Sequence, residues 1–170
     1  RLDLSDLSFL IIDDNNYMRK LLRALLSGYG VRHIAEADCV DAGMESLRTT
    51  DCDMVLCDWE MPGKTGIEFL KELRASNDKK NKFMPVIFVS GHSEKSRVNI
   101  ARDAGINDYL VKPVSAATLY NHIAMVIMKD RDFIDTGTYF GPDRRWNDDE
   151  TYDGPERRAD YLKNDNGGEE

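Results

Sequence analysis

Phe9-Leu10-Ile11-Ile12-Asp13-Asp14 decides the fold. Four consecutive apolar residues lack the polar alternation of a half-exposed strand, so they read as a strand covered on both faces. Two carboxylates close it. The pattern recurs downstream: Met54-Val55-Leu56-Cys57 is closed by Asp58, Val86-Ile87-Phe88-Val89 by Ser90-Gly91, and Asp108-Tyr109-Leu110-Val111 by Lys112-Pro113. A weaker strand is expected over 33–37. Between the strands lie helical patterns. Met18, Leu21, Leu22, Leu25 and Leu26 recur at helical spacing and stop at Gly28 and Gly30. Asp41 is expected to cap a second helix through about residue 48. After the Pro62-Gly63 turn, Ile67, Leu70 and Leu73 mark a third. A fourth, over about 94–104, stops at Gly105, and Ser115 caps a long fifth through about 129. Five strands alternating with five helices imply an α/β domain with a doubly wound, five-stranded parallel sheet. Its ligand site belongs at the C-terminal ends of the strands, where the acidic and small polar residues fall.

The composition suits one core with an extension: 170 residues, 41% of them apolar. Residues 1–130 read as the domain and 131–170 as a C-terminal tail. A formal net charge of −8 tells against DNA as a partner, because phosphate contacts need clustered Lys and Arg. No apolar run approaches the ~20 residues of a membrane span, and no signal-peptide pattern opens the chain. No membrane partner and a cytoplasmic location are therefore expected. Cys39, Cys52 and Cys57 are odd in number and lack CxxC spacing, which reads as free thiols rather than a disulfide framework or zinc site. His33, His92 and His122 share no ligand spacing and read as surface or hydrogen-bonded groups.

From Arg131 the aliphatic residues nearly vanish, and Gly, Pro, Asp and Arg take over, as in an extended tail rather than a second core. The end of the chain, from 163, reads as disordered. The tail is internally duplicated. Thr138-Tyr139-Phe140-Gly141-Pro142-Asp143-Arg144-Arg145 is echoed by Thr151-Tyr152-Asp153-Gly154-Pro155-Glu156-Arg157-Arg158. Seven of the eight positions are identical or exchange acid for acid, too many for coincidence.

Asp13, Asp14 and Asp58 would lie together at the ends of two neighbouring strands. Three carboxylates there repel one another unless a hard dication sits among them, and magnesium suits such a site. Asp58 can then act as a nucleophile toward phosphorus. Ser90 offers a hydroxyl and Lys112 an ammonium to a phosphoryl group at the same rim. Asp13 and Asp14 also have a plainer use, as acids at a helix N-terminus, but Asp58, Ser90 and Lys112 in register favour the site. Tyr109 has a plain alternative as a core aromatic. Trp59 reads as a loop aromatic rather than a binding platform.

Ile11-Ile12-Asp13-Asp14, Asp58-Trp59-Glu60-Met61-Pro62-Gly63, Ser90-Gly91-His92 and Asp108-Tyr109-Leu110-Val111-Lys112-Pro113 together resemble the signature segments of response-regulator receiver domains, above all the single-domain chemotaxis type. The resemblance spans roughly residues 5–130 and implies a flavodoxin-like (βα)5 receiver. It implies that Asp58 accepts a phosphoryl group from a histidine kinase or phosphotransfer protein. Asp14, Asp58 and the main-chain carbonyl of Glu60 would hold Mg2+, with Asp13 acting mainly through a water. Ser90 and Lys112 would hold the phosphoryl group. Ser90 and Tyr109 would form the switch, altering the face of the fourth helix, fifth strand and fifth helix for a downstream protein. Lys112–Pro113 falls where the family carries a cis bond. Glu60 and His92 match positions that flank the phosphoryl group and tune its hydrolysis; an acid at 60 departs from the amide usual in chemotaxis proteins. No enzymatic activity beyond phosphoryl acceptance and self-dephosphorylation is implied.

The tail keeps two readings open. One is a linker or strap lying on its own receiver. The other uses Asp143, Arg144, Arg145, Glu156, Arg157 and Arg158 on guanine, a carboxylate taking the N–H edge and an arginine fork O6 and N7. In that respect the repeat resembles the arginine-rich tails of receiver-like cyclic di-GMP effectors. Against this, the segment from Arg131 holds twelve acids and six bases. The chain is thus expected to be a phosphorylation-switched response regulator acting through protein contacts. The alternative is a cyclic di-GMP effector using the repeat.

Overall fold

In the computed structural model, residues 2–129 and 131–144 are described. Five strands run parallel: β1 (Ser8–Ile12), β2 (His33–Ala37), β3 (Met54–Cys57), β4 (Val86–Ser90) and β5 (Asp108–Val111). Their order is β2-β1-β3-β4-β5. The apolar runs are continuous because both faces of the sheet are covered. Leu10, Ile12, Val55, Cys57, Val86 and Phe88 enter one core layer, whereas Phe9, Ile11, Met54, Leu56, Ile87 and Val89 enter the other. Six helices supply the two coats: α1 (Asn16–Gly28), α2 (Val40–Thr49), α3 (Gly66–Arg74), the one-turn α4 (Lys79–Lys82), α5 (Lys95–Asp103) and α6 (Ala116–Met128). Ile67, Phe69, Leu70 and Leu73 of α3 and Ala101 of α5 fill the first layer, and Leu22 and Leu26 of α1 with Leu119 and Ile123 of α6 fill the second.

Local chemistry explains the helix boundaries. Asn15 caps α1, its side chain accepting from Met18 N at 3.1 Å. Thr65 with Glu68 and Ser115 with Thr118 form reciprocal caps that start α3 and α6. Asp41 does not cap α2 as expected. The cap position is Cys39, without a side-chain bond, and Asp41 sits in the first turn and pairs with Lys64 at 2.9 Å. The turn α4 was not expected, since Lys79-Lys80-Asn81-Lys82 has no apolar period; it is fixed by Asp78, which accepts from Lys80 N at 2.8 Å. The helices expected at 94–104 and 115–129 are therefore α5 and α6. Lys112–Pro113 is cis.

Beyond α6 the structure corrects the expectation of an extended tail. β6 (Phe133–Asp135) and β7 (Phe140–Pro142) pair antiparallel as a hairpin. It is held to the receiver by aromatic rather than aliphatic packing, which is why scarce aliphatics misled the composition argument. Phe83 meets the rings of Phe133 and Phe140 at 5.1 and 5.4 Å, and Tyr139 is buried. Residues 145–170, which carry the second repeat and the end of the chain, lie outside the described residues.

Candidate functional site

The sheet reverses winding direction between β1 and β3, and such switch points open a crevice at the strand C-termini. The site is built there. β1 and β3 pair with Ile12 opposite Cys57, so the next residues, Asp13 and Asp58, emerge side by side. Asp58 N donates to Ile12 O at 2.8 Å and Asp13 N to Ala37 O at 3.1 Å, fixing both. Carboxylate oxygens of Asp13, Asp14 and Asp58 all lie within 4.8 Å of one another, the arrangement a hard cation would accept. Lys112 follows β5, tied by its N–H to Ser90 O at 2.8 Å, and its Nζ lies 3.5 Å from both Asp13 Oδ2 and Asp58 Oδ1. Ser90 ends β4, buried, its Oγ accepting from His92 N at 3.2 Å.

Burial differs sharply within the acid cluster: Asp13 is buried, Asp58 half-buried and Asp14 exposed. Asp13 does serve the start of the first helix, accepting from Asn15 N at 2.8 Å, so the plainer use coexists with the site. Burial pushes the Asp58 carboxyl up to about 6, helped by the charge of Asp13; Lys112 and the Trp59 N–H pull the other way. A carboxylate costly to ionise in isolation is one that gains from a cation or from a covalent group carrying its own counter-charges.

The mouth of the site is bridged by residues that the sequence only partly revealed. Glu60 Oε1 lies 3.0 Å from His92 Nε2 and accepts from Arg97 Nη1 at 2.8 Å, so Glu60 and His92 do face each other. The hydrogen bond with His92, then that from Arg97, holds the Glu60 carboxyl below its usual range. That carboxylate is occupied with these partners, which leaves the main-chain carbonyl as the cation ligand to consider. Arg97 also lies 5.4 Å from the Trp59 ring centroid. Nothing in its sequence context marked it. Trp59 is a loop aromatic, as expected, in the bend that follows β3. It is buried against Phe88 and Tyr109, because the apolar layer continues past the end of β3. Tyr109 donates its hydroxyl to His92 O at 2.6 Å and so touches the loop that follows Ser90. His122 pairs with Asp108 at 2.7 Å and His33 is exposed, as read.

Among the described residues, the tail's Asp143 and Arg144 do not reach this site. Arg144 pairs with Asp103 and stacks 4.0 Å from the Tyr139 ring centroid, and Asp143 N donates to Asp132 O at 2.8 Å. Arg145, Glu156, Arg157 and Arg158 lie outside the described residues. A second group unseen in the sequence is Arg74 on α3. Buried, it donates to Gly105 O, Met84 O, Lys82 O and Asn107 Oδ1.

A doubly wound parallel sheet with three carboxylates, a hydroxyl and a lysine at one rim defines a class, the flavodoxin-like domains with an acidic, cation-ready site at the switch point. The family model for the response regulator receiver domain matches residues 9–124. The chain is 38% identical over 114 residues to chemotaxis protein CheY-3 of Vibrio cholerae, covering 67% of this chain and 86% of that protein. It is 35% identical over 120 residues to chemotaxis protein CheY of Pseudomonas aeruginosa, covering 71% and 95%. Among solved structures, Vibrio cholerae CheY4 matches with a TM-score of 0.66 at 23% identity, covering 71% of this chain and 98% of that one. A response regulator receiver domain protein from Clostridium thermocellum matches at 0.63 and 27%, covering 73% and 96%. The chain belongs to the response-regulator receiver family and is a regulator switched by phosphorylation. No helix among the described residues is long and apolar enough to cross a membrane.

Proposed function

We propose that Asp58 is the phosphoryl acceptor, with Asp13, Asp14, Asp58 and the Glu60 carbonyl holding Mg2+ and with Ser90 and Lys112 holding the transferred group. The observation that carries this is the placement of Lys112 Nζ, 3.5 Å from both Asp13 and Asp58, beside three clustered carboxylates. An Asp58 oxygen forms the new bond to phosphorus, while the phosphorus–nitrogen bond of a phosphohistidine donor breaks and its electron pair stays on the imidazole. Mg2+ supplies neutralisation of charge on the phosphoryl oxygens. Lys112, a point charge, takes one of those oxygens, and Ser90 takes another through its hydroxyl.

The donor is a histidine kinase or phosphotransfer protein, as the likeness to chemotaxis proteins suggests. A downstream protein is recognised on the face of α5, β5 and α6. Exposed apolar side chains support this: Ile100 on α5, Val111 on β5, and Met125 and Met128 on α6. The chain acts in the cytoplasm, and its only chemistry is phosphoryl acceptance and self-dephosphorylation. The test is labelling by acetyl phosphate, and binding of beryllofluoride, in the presence of magnesium. Wild type should respond, with Trp59 fluorescence as reporter, and Asp58→Asn should not. Undiminished labelling of Asp58→Asn would remove the assignment.

A further inference from the structure

The tail carries two copies of one motif, and the structure shows what the first copy does. Tyr139 is buried and donates its hydroxyl to Pro142 O at 2.8 Å. Gly141 rests against Gly105 so closely that a Cβ on it would stand 2.6 Å from the Gly105 Cα, and a Cβ on Gly105 would stand 2.5 Å from Phe140 O. Arg144 lies over Tyr139 and pairs with Asp103 at the end of α5. Arg74 donates to Gly105 O at 2.9 Å and lies 4.9 Å from the Phe133 ring centroid. Arg131 donates to Asn107 O. The corner made by Arg74, Asp103, Gly105 and Asn107 is a socket, and Tyr-x-Gly-Pro-acid-Arg is its plug.

Thirteen residues further on, the chain offers that plug again: Tyr152, Gly154, Pro155, Glu156 and Arg157 repeat Tyr139, Gly141, Pro142, Asp143 and Arg144. At this offset the aromatic Trp146 falls at Phe133 and Asp148 at Asp135, while Asn147 falls at Ile134, so the likeness to the first strand of the hairpin is partial. The described chain has one such socket for two plugs. We propose that the two copies are alternative occupants of this socket on their own receiver, so that the tail has two registers thirteen residues apart.

Physical differences between the copies rank the registers. Seating the second adds thirteen residues to the loop after α6, which lowers its occupancy on the order of tenfold. Asp153 replaces Phe140, losing its stack on Phe83 and its place 4.3 Å from Lys82 Nζ, although an acid there can pair with Lys82. Glu150 replaces Gly137, whose φ of +81 suits glycine. The first copy therefore holds the socket at rest, and the second takes it when the first is withdrawn. Seating within one chain wins over seating on another molecule, because a short tether supplies about millimolar effective concentration. The exchange matters because Arg131, Pro142 and Arg144 line, with Val98, Arg102 and Tyr109, a cleft of about 280 Å³ on the α5–β5 side. The second register rebuilds that lining from Arg144, Pro155 and Arg157 and frees residues 131–143 for another contact.

The test uses the full chain and the amide resonance of Gly105, with Gly141→Val and Gly154→Val blocking the close approach of each copy. Gly154→Val alone should leave Gly105 as in wild type. Gly141→Val should keep Gly105 in a seated environment at monomer mass, and the double variant should shift it to a third position and lower Tm further. Tyr139→Ala and Tyr152→Ala should repeat the pattern without a bulky side chain. If Gly141→Val alone moves Gly105 as far as the double variant, the second copy does not use the socket and the proposal fails. It also fails if the seated state in Gly141→Val appears only with dimer mass in light scattering, since the second plug then serves another molecule.

Discussion

Asp58 is the residue at which electrostatics and the proposed role conflict most directly. Its carboxyl is raised to about 6 by burial and by Asp13, against an ordinary value near 3.8. An acid whose folded pKa is raised holds its proton more tightly when folded. Its contribution is therefore favourable at low pH and is lost as pH rises from about 4 through 6. Discounted for the solvent that reaches this half-exposed group, the cost of ionised Asp58 at neutral pH is about 1–2 kcal/mol. Asp58→Asn should accordingly stabilise the cation-free protein by that amount at pH 7.5, with the gain shrinking toward pH 4. Thermal melts across this range check it, and a gain independent of pH would contradict the electrostatic origin. The neighbouring acids should separate in a magnesium titration followed by Trp59 fluorescence. Asp14→Ala should lose most of the affinity, at least about tenfold, because it removes a direct charged ligand. Asp13→Ala should lose less, because a water is expected to lie between. Lys112→Ala should bind the cation at least as well as wild type, since a nearby positive charge is gone, yet signal poorly after phosphorylation. Equal losses for the two aspartates would contradict that division of roles.

Arg74 shows what an element gains from one buried side chain. It joins the end of α3 to the turn after α4 and to the corner between α5 and β5, through Lys82 O, Met84 O, Gly105 O and Asn107 Oδ1. Burial pulls its guanidinium down to about 10, so it stays charged at neutral pH. Arg74→Ala should cost about 2–4 kcal/mol in urea denaturation, because it strands buried acceptors, and Arg74→Lys should recover little without the planar fork. A loss below about 1 kcal/mol would show that water replaces the fork. At this scale the sequence was uneven. β3 and β5 have the ends expected from their runs, because polar residues bound each apolar stretch, and the weaker β2 also falls at 33–37 as expected. Asp13, Asp58, Ser90 and Lys112 were readable for the same reason, as residues that close strands of one sheet. Arg74 and Arg97 were not readable, since a long cation in an amphipathic helix is usually a solvated side chain and only packing shows otherwise. The hairpin was hidden because each of its strands is three residues long and its burial comes from Phe133, Tyr139 and Phe140 against another part of the chain.

At the scale of the whole molecule, the described part of the tail and the candidate site meet at the α5–β5 side. Tyr109, which bonds to His92 O beside the site, lines the cleft that Arg131, Pro142 and Arg144 complete. Asp103 and Gly105, at the other end of α5, are held by Arg144 and Gly141. The hairpin thus packs on one arrangement of α5, that in which Arg97 reaches Glu60 and Tyr109 reaches His92. If phosphorylation draws Ser90 and Tyr109 toward the acceptor, α5 must shift, and a seated hairpin opposes the shift. Coupling of this kind is reciprocal: what favours the unmodified arrangement must weaken binding of a phosphoryl mimic by the same factor. Removing both tyrosine anchors, Tyr139→Ala with Tyr152→Ala, should therefore tighten beryllofluoride binding by about fivefold, near the lower end of ordinary allosteric couplings. The measurement is a Trp59 fluorescence titration on the full chain at saturating magnesium, with hydrogen exchange of residues 133–142 followed with and without beryllofluoride. The two experiments must agree, since faster exchange in the presence of beryllofluoride is the same coupling read from the other side. An unchanged affinity together with unchanged exchange would mean that the hairpin is anchored to a part of α5 that does not move.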